Sequence, residues 1–291
     1  MKRILIYLVI IGLGFGCEEN LDIKNPNEPS VQYFWQNQED AIKGVNAVYS
    51  TLHKGSISRW MPMLFSTRSD IGESRSPWTD LSNALDKFIQ PDYNFGPVAG
   101  VWHDNYVGIN RANQVLDNVP DIDMDAAKKD EVLGQAYFFR GLFYYHLVTL
   151  FGNVPLMLST TSPDDYPSNS TVDEVYNQII ADLEMAVNML PAEYAAPEDL
   201  GRVTKGAAHA LMAKAYFQLA DYESCHDRVF FVCLFVCFSE HEEQKQSLKA
   251  TASSNVSVLR VSLLVAKCIA KAKKSFTVGE ELTLPAAKDI C

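Results

Sequence analysis

Apolar side chains recur at steps of three and four along most of the first 220 residues, and the stretch around residues 132–151 carries the pattern most densely. Val132, Ala136, Phe139, Phe143, Leu147 and Leu150 form one helical stripe, while Leu133, Tyr137, Leu142, Tyr144, Val148 and Phe151 fill most of the remaining circumference. A helix that is apolar on nearly all sides belongs between other helices. The spacing predicts that it ends at Gly152 and that the chain turns at Pro155. Arg140 lies within this wall. An unpaired buried guanidinium is very costly, so Arg140 is expected to clamp helices together through a carboxylate or several backbone carbonyls.

The same periodicity predicts helices on either side. One covers about 38–52, with Ala41, Val45, Val48 and Leu52 inward and Glu39 and Asp40 at its positive N-terminal end. Another runs over 102–119, with Trp102, Tyr106, Ile109, Asn113 and Leu116 on one stripe and Pro120 stopping it. Asp121, Asp123 and Asp125 alternate like the start of a calcium loop, but Ala126 replaces the required Gly and Val132 the bidentate Glu. Capping of a helix beginning near Ala126 accounts for them instead. Thr171-Val-Asp-Glu174 is a capping box, opening a helix with Val175, Ile179, Leu183, Ala186 and Leu190 inward and Pro191 at its end. An alanine-rich helix spans about 204–220. The pattern describes an all-α protein. Residues 21–34 read as an extended tether. Residues 54–100, rich in Gly, Ser, Pro and Asp, read as a long functional loop punctuated by Trp60, Trp78, Phe88, Tyr93 and Phe95.

Composition changes this picture at two places. The net charge of −11 argues against nucleic-acid binding, which needs basic patches. The acidity is uneven: residues 1–225 carry 16 basic against 29 acidic side chains, and residues 226–291 carry 9 against 7. All four Trp and all thirteen Tyr lie at or before Tyr222, whereas five of the six Cys lie at or after Cys225. The apolar run Val229–Phe238 is too short for a helix to span a bilayer. Residues 223–291 are therefore expected to be an unrelated or frame-shifted tail, the alternative being a divergent tail whose cysteines pair in an oxidising compartment. Cys233 and Cys237 have metal-pair spacing, but without a second pair apolar burial explains them.

At the other end, Lys2 and Arg3 precede the apolar run Ile4–Leu13 and small residues before Cys17, the layout of a secretory signal over residues 1–16. The Gly-Phe-Gly-Cys17 ending resembles the lipobox of bacterial lipoproteins, with Gly14 where Leu is usual; the resemblance implies that Cys17 becomes a diacylglyceryl-modified N-terminus. Ordinary signal cleavage is the alternative. Glu18 and Glu19 resemble the acidic tag of surface-exposed Bacteroidetes lipoproteins.

Five blocks in register carry a wider resemblance: Trp102, Tyr106 and Asn110-Arg-Ala-Asn113; Gly134-Gln-Ala-Tyr-Phe-Phe-Arg140; Phe151-Gly-Asn-Val-Pro-Leu156; Asp182-Leu-Glu-Met-Ala186 with Leu190-Pro191; and Gly201-Arg-Val-Thr-Lys205 through Tyr216. Over residues 17–222 the chain resembles the SusD/RagB family of outer-membrane lipoproteins. The resemblance implies tetratricopeptide-like helical pairs, incomplete here at the C-terminus, and a role in nutrient uptake beside a TonB-dependent, SusC-like transporter. Ala213–Tyr222 independently reads like the first helix of such a repeat.

Candidate chemistry is sparse. There is no His-Glu-x-x-His, Gly-x-Ser-x-Gly, phosphate loop or dinucleotide fingerprint, and no metal or cofactor is expected. Asp70 and Glu73 can be posed as a glycosidase pair, but sequence proximity says nothing about separation across a sugar. A non-catalytic oligosaccharide or polysaccharide site is expected instead: Trp78 would stack on a sugar's C–H face while Asp70 and Arg75 bond its hydroxyl rim, with Trp60 and Tyr93 as further candidates. Burial of Trp78 against the helices, and a scaffold that binds only protein, are the competing expectations.

Overall fold

Three helices begin at side chains that accept from their orphan N–H groups, and the longest of them stops at a glycine. A computed structural model describes residues 34–67, 69, 72–73, 86–87, 96–162 and 164–229. Helix α1 covers Gln38–Ser50, with Asn37 at its N-cap accepting from the amides of Glu39 (2.9 Å) and Asp40 (3.2 Å). A 3₁₀ turn, Thr51–His53, and a five-residue π turn, Ser56–Trp60, lead into α2, Met61–Thr67. Helix α3 covers Gly96–Asn118 and gives way to a 3₁₀ turn at Val119–Asp121, where Pro120 has no amide to donate. Helix α4, Ala126–Phe151, is capped by Asp125, whose carboxylate accepts from the amide of Lys128 at 2.9 Å. It stops at Gly152, which has φ 72°, a backbone conformation that a Cβ would strain.

Helix α5, Val172–Met189, opens with the expected capping box: Thr171 Oγ1 accepts from the Glu174 amide at 3.3 Å, and Glu174 Oε2 accepts from the Thr171 amide at 2.8 Å. Helix α6 is Lys205–Gln218, and a further helical segment covers 222–229. Strands β1 (Val154–Pro155) and β2 (Asn169–Ser170) pair antiparallel, Val154 opposite Ser170, and so close the base of the loop that follows α4.

Local structure departs from the sequence pattern within 54–100, expected to be irregular throughout. Residues 55–67 and 96–100 are helical. Ile57, Met61 and Leu64 are buried at helical spacing, but the run is short and flanked by Ser and Arg. Pro97 sits in the first turn of α3, where proline's missing amide costs nothing.

Helix α4 lies among α3, α5 and α1, and α5 packs in turn on α6. Its all-round apolarity is thereby explained: Phe139, Phe143, Tyr144 and Leu147 are buried within one core that includes Ile109 of α3, Ile179 and Leu183 of α5, and Met212 of α6. Gly108 lets α3 approach the Phe143 ring, and any larger residue would collide with it.

Into this core α4 carries Arg140, only 6% exposed. Its Nε and Nη2 donate to Asp182 of α5 at 2.8 and 2.7 Å, and Nη1 donates to Asn113 Oδ1 of α3 (3.0 Å) and the Leu158 carbonyl (3.1 Å). Gln178 donates to Asp182 as well, at 2.9 Å. Burial alone would lower the Arg140 pKa, but the hydrogen bonds and charge of Asp182 outweigh it and raise the value, so the guanidinium stays charged. Arg140→Ala strands the Asp182 carboxylate in the core and is expected to cost about 3–5 kcal/mol in urea denaturation; removing both charges with the double variant Arg140→Met/Asp182→Leu should cost less than the single one.

Half-buried His146 on α4 lies 3.1 Å from Asn105 Oδ1 through its Nδ1. The Asn105 amide nitrogen donates to the Val101 carbonyl at 2.7 Å, so its oxygen faces the ring and accepts from a protonated Nδ1. Burial, then the charge of Lys214, pushes the His146 pKa from 6.5 down to about 4. A base depressed in this way contributes stability in full above the unfolded value and loses it as pH falls toward the folded value. Between pH 7 and 4, wild-type protein should therefore lose on the order of 2–3 kcal/mol more stability than His146→Gln, as measured by urea titrations at each pH.

Candidate functional site

Beyond β1 the chain runs extended along α3, and side chains rather than a neighbouring strand satisfy its backbone. Tyr106, Asn110, Asn113 and Asp117 recur at steps of four, three and four, so they share one face of α3. The Tyr106 hydroxyl donates to the Pro155 carbonyl at 2.9 Å. Asn113 Nδ2 donates to the carbonyls of Met157 and Ser159, both at 2.8 Å. Asp117 accepts from the Thr160 amide and hydroxyl, both at 2.7 Å, and Asn110 Oδ1 accepts from the Thr161 amide and hydroxyl at 3.4 Å. From α4, the Tyr144 hydroxyl donates to the Met157 carbonyl (2.9 Å) and accepts from its amide (2.6 Å), while Arg140 holds Leu158. Burial raises the pKa of Tyr106, and raises that of Tyr144 to about 12, so both hydroxyls remain protonated donors.

This strap and the loop after it form one wall of an open cleft of about 410 Å³ whose other wall is α3. Trp102 and Tyr106 supply an aromatic side: their rings lie 5.0 Å apart, and Trp102 meets Phe151 edge-on at 5.0 Å, which fixes the indole. Asn110, Asn113 and Thr161 supply polar groups, and Asp165 and Tyr166 stand at the outer edge. The Ser162 amide donates to Asp165 Oδ2 at 2.6 Å and the Asp165 amide to the Ser162 carbonyl at 3.0 Å, a turn that sets the position of Tyr166. Tyr166 is 90% exposed, an isolated ring with no packing role. Both Asn113 amide hydrogens are used by the strap, and its oxygen accepts from Arg140. Among the described residues the Asn110 amide nitrogen, the second Asp165 oxygen and the Tyr166 hydroxyl have no partner, so all three can serve a ligand.

Of the residues expected to bind glycan, Trp60 alone falls within the described residues. It ends the π turn before α2, packs partly against the core with Arg59 5.1 Å from its ring, and lies outside the lining of this cleft. Asp70, Arg75, Trp78 and Tyr93, and the lipid-attachment candidate Cys17, lie outside the described residues. Among the described residues no cluster of His, Cys, Asp and Glu could hold a metal ion, and no helix is long and apolar enough to cross a membrane. Asn110, Thr161, Asp165 and Tyr166 were not foreseen as site residues. The signal available was the polar stripe on α3, since Asn at two inward positions of an otherwise apolar helix face demands partners.

Residues 20–217 match a family of SusD-like proteins described as starch-binding and associating with the outer membrane. The chain belongs to the SusD-like family. It is 30% identical over 240 residues to the SusD-like protein P2 of Formosa agariphila, covering 80% of this chain and 46% of that one. The SusD-like protein P25 of the same organism is 25% identical over 242 residues, 77% of this chain and 44% of the relative. The chain thus spans about half the length of these relatives. Among solved structures, a SusD-like protein from Bacteroides fragilis superposes with a TM-score of 0.60 at 28% identity, over 69% of this chain and 39% of that one. A laminarin-binding SusD-like protein superposes equally well, with a TM-score of 0.60 at 27% identity, over 68% and 44%. The all-α, tetratricopeptide-like fold expected from the sequence is the fold of this SusD-like family.

Asn113→Ala removes two bonds to the strap and one to Arg140. It should destabilise the protein by about 2–3 kcal/mol and expose residues 155–161 to limited proteolysis well below the global unfolding temperature.

Proposed function

We propose that this SusD-like chain is a non-catalytic, glycan-capturing lipoprotein, tethered through Cys17 to the outer membrane and exposed at the cell surface. It holds an oligosaccharide or polysaccharide and passes it to a TonB-dependent, SusC-like transporter. The observation that carries the binding half of this proposal is the cleft beside α3. A pyranose presents an apolar C–H face and a rim of hydroxyls, and the cleft sets fixed aromatic rings beside an amide, a hydroxyl and a carboxylate. The family's description as starch-binding and outer-membrane-associated supports glycan binding at that membrane, and the laminarin-binding neighbour supports the binding half. The loop carrying Asp70, Arg75, Trp78 and Tyr93, together with Trp60, is proposed as a second set of contacts to the same polymer. Acyl chains at Cys17 would anchor the protein through about 0.8 kcal/mol per buried CH₂.

Tyr166 offers a clean test because its exposure leaves the fold indifferent to its loss. In native gels cast with β-glucan, starch, galactomannan or xylan, the wild-type protein should be retarded by at least one polymer. Tyr166→Ala should weaken that interaction roughly three- to tenfold, the scale of one aromatic contact, with an unchanged melting temperature. A scaffold that binds only protein would migrate identically in every gel.

A further inference from the structure

We infer that the cleft between α3 and the 155–167 segment selects uncharged glycans and turns away sulfated or carboxylated ones. The inference rests on the glycan-binding function proposed above and names the substrate class of that same site.

Among the described residues the lining holds no Lys, Arg or His, and the charged group that belongs to it is the Asp165 carboxylate. One of its oxygens is tied to the Ser162 amide, and the other is available to accept a hydrogen bond from a sugar hydroxyl. A sulfate or uronate brings acceptors only, and brings its negative charge toward a carboxylate. The nearby cations do not offset this. Arg140 lies behind Asn113 and Leu158 and is bound bidentately to Asp182. Arg111 of α3 turns instead to α1 and the turn after it, donating to the Ala47 carbonyl, Ser50 and Thr51 at 3.0–3.1 Å. The exposed Asp164 carboxylate next to Asp165 adds to the bias, since a polyanion approaching this edge meets two negative charges, a repulsion that salt screens over about 8 Å at physiological ionic strength. Proteins that recognise sulfate or carboxylate do so with charge-assisted donors such as Arg forks, and the described residues of this cleft present none.

The test uses the full chain and four uncharged polysaccharides (β-glucan, starch, galactomannan and xylan), each paired with its chemically sulfated derivative, in affinity gels at low and at 0.5 M salt. At least one uncharged polymer should bind tenfold or more tightly than its sulfated form, and salt should narrow that gap. Asp165→Asn, which keeps the acceptor to Ser162 and removes the charge, should narrow the ratio at low salt about fivefold, the scale of one exposed charge pair at contact. Sulfated polymers binding as well as or better than their parents would overturn the selectivity while leaving glycan capture standing. A ratio unmoved by Asp165→Asn would also overturn it, since the cleft's charge would not be its cause. Failure to bind any polymer of either kind would remove glycan capture itself, and the selectivity with it.

Discussion

Arg140 brings a full positive charge into a helix interface from which water is excluded, and the arrangement of the rest follows from how that charge is satisfied. Its bidentate partner Asp182 fixes α5 against α4, Asn113 fixes α3, and the Leu158 carbonyl fixes the strap that leaves α4. Four chain segments therefore meet at one guanidinium. A hydrophobic residue of similar volume would fill the space but specify none of these registers, because apolar contact is non-directional. The fork geometry of arginine requires Asp182, Asn113 and Leu158 to stand where they do.

The site is built outward from that point. Asn113 is shared between the buried ion pair and the strap, so the core and the cleft wall are one hydrogen-bonded structure. Further out, the contacts vary: the Asn110–Thr161 bonds are 3.4 Å, the Asp117–Thr160 bonds are 2.7 Å, and Tyr166 is 90% exposed. The packed aromatic rings of Trp102 and Phe151 thus lie beside an exposed edge.

Much of the helical framework was legible because the signals were local. Thr171 and Glu174 announce a capping box by spacing alone, Gly152 and Pro120 stop helices through backbone chemistry, and the apolar girth of α4 demands neighbours on all sides. The partner class for Arg140 could be foreseen from electrostatics. Which carboxylate it meets could not, since Asp182 lies 42 residues away and nothing local links the two. The short helix 61–67 was missed because seven residues hold too few turns for periodicity to stand out. The cleft was missed for a related reason. Its polar lining joins a stripe on α3 to a loop some 50 residues later, and a Tyr or Asp in a Pro/Ser-rich loop carries no mark of which helix it will face.

The strap has one more consequence. Its amides and carbonyls are held by side chains reaching across from α3 and α4, so its position is dictated by its hosts and hardly by its own residue types. Leu158, Ser159 and Thr160 are all exposed, and Leu158 and Ser159 are held only through their carbonyls. Neither lines the cleft, so the outer surface of the strap can be repainted without moving the wall that a ligand meets: diversification and anchoring fall on different atoms of the same residues.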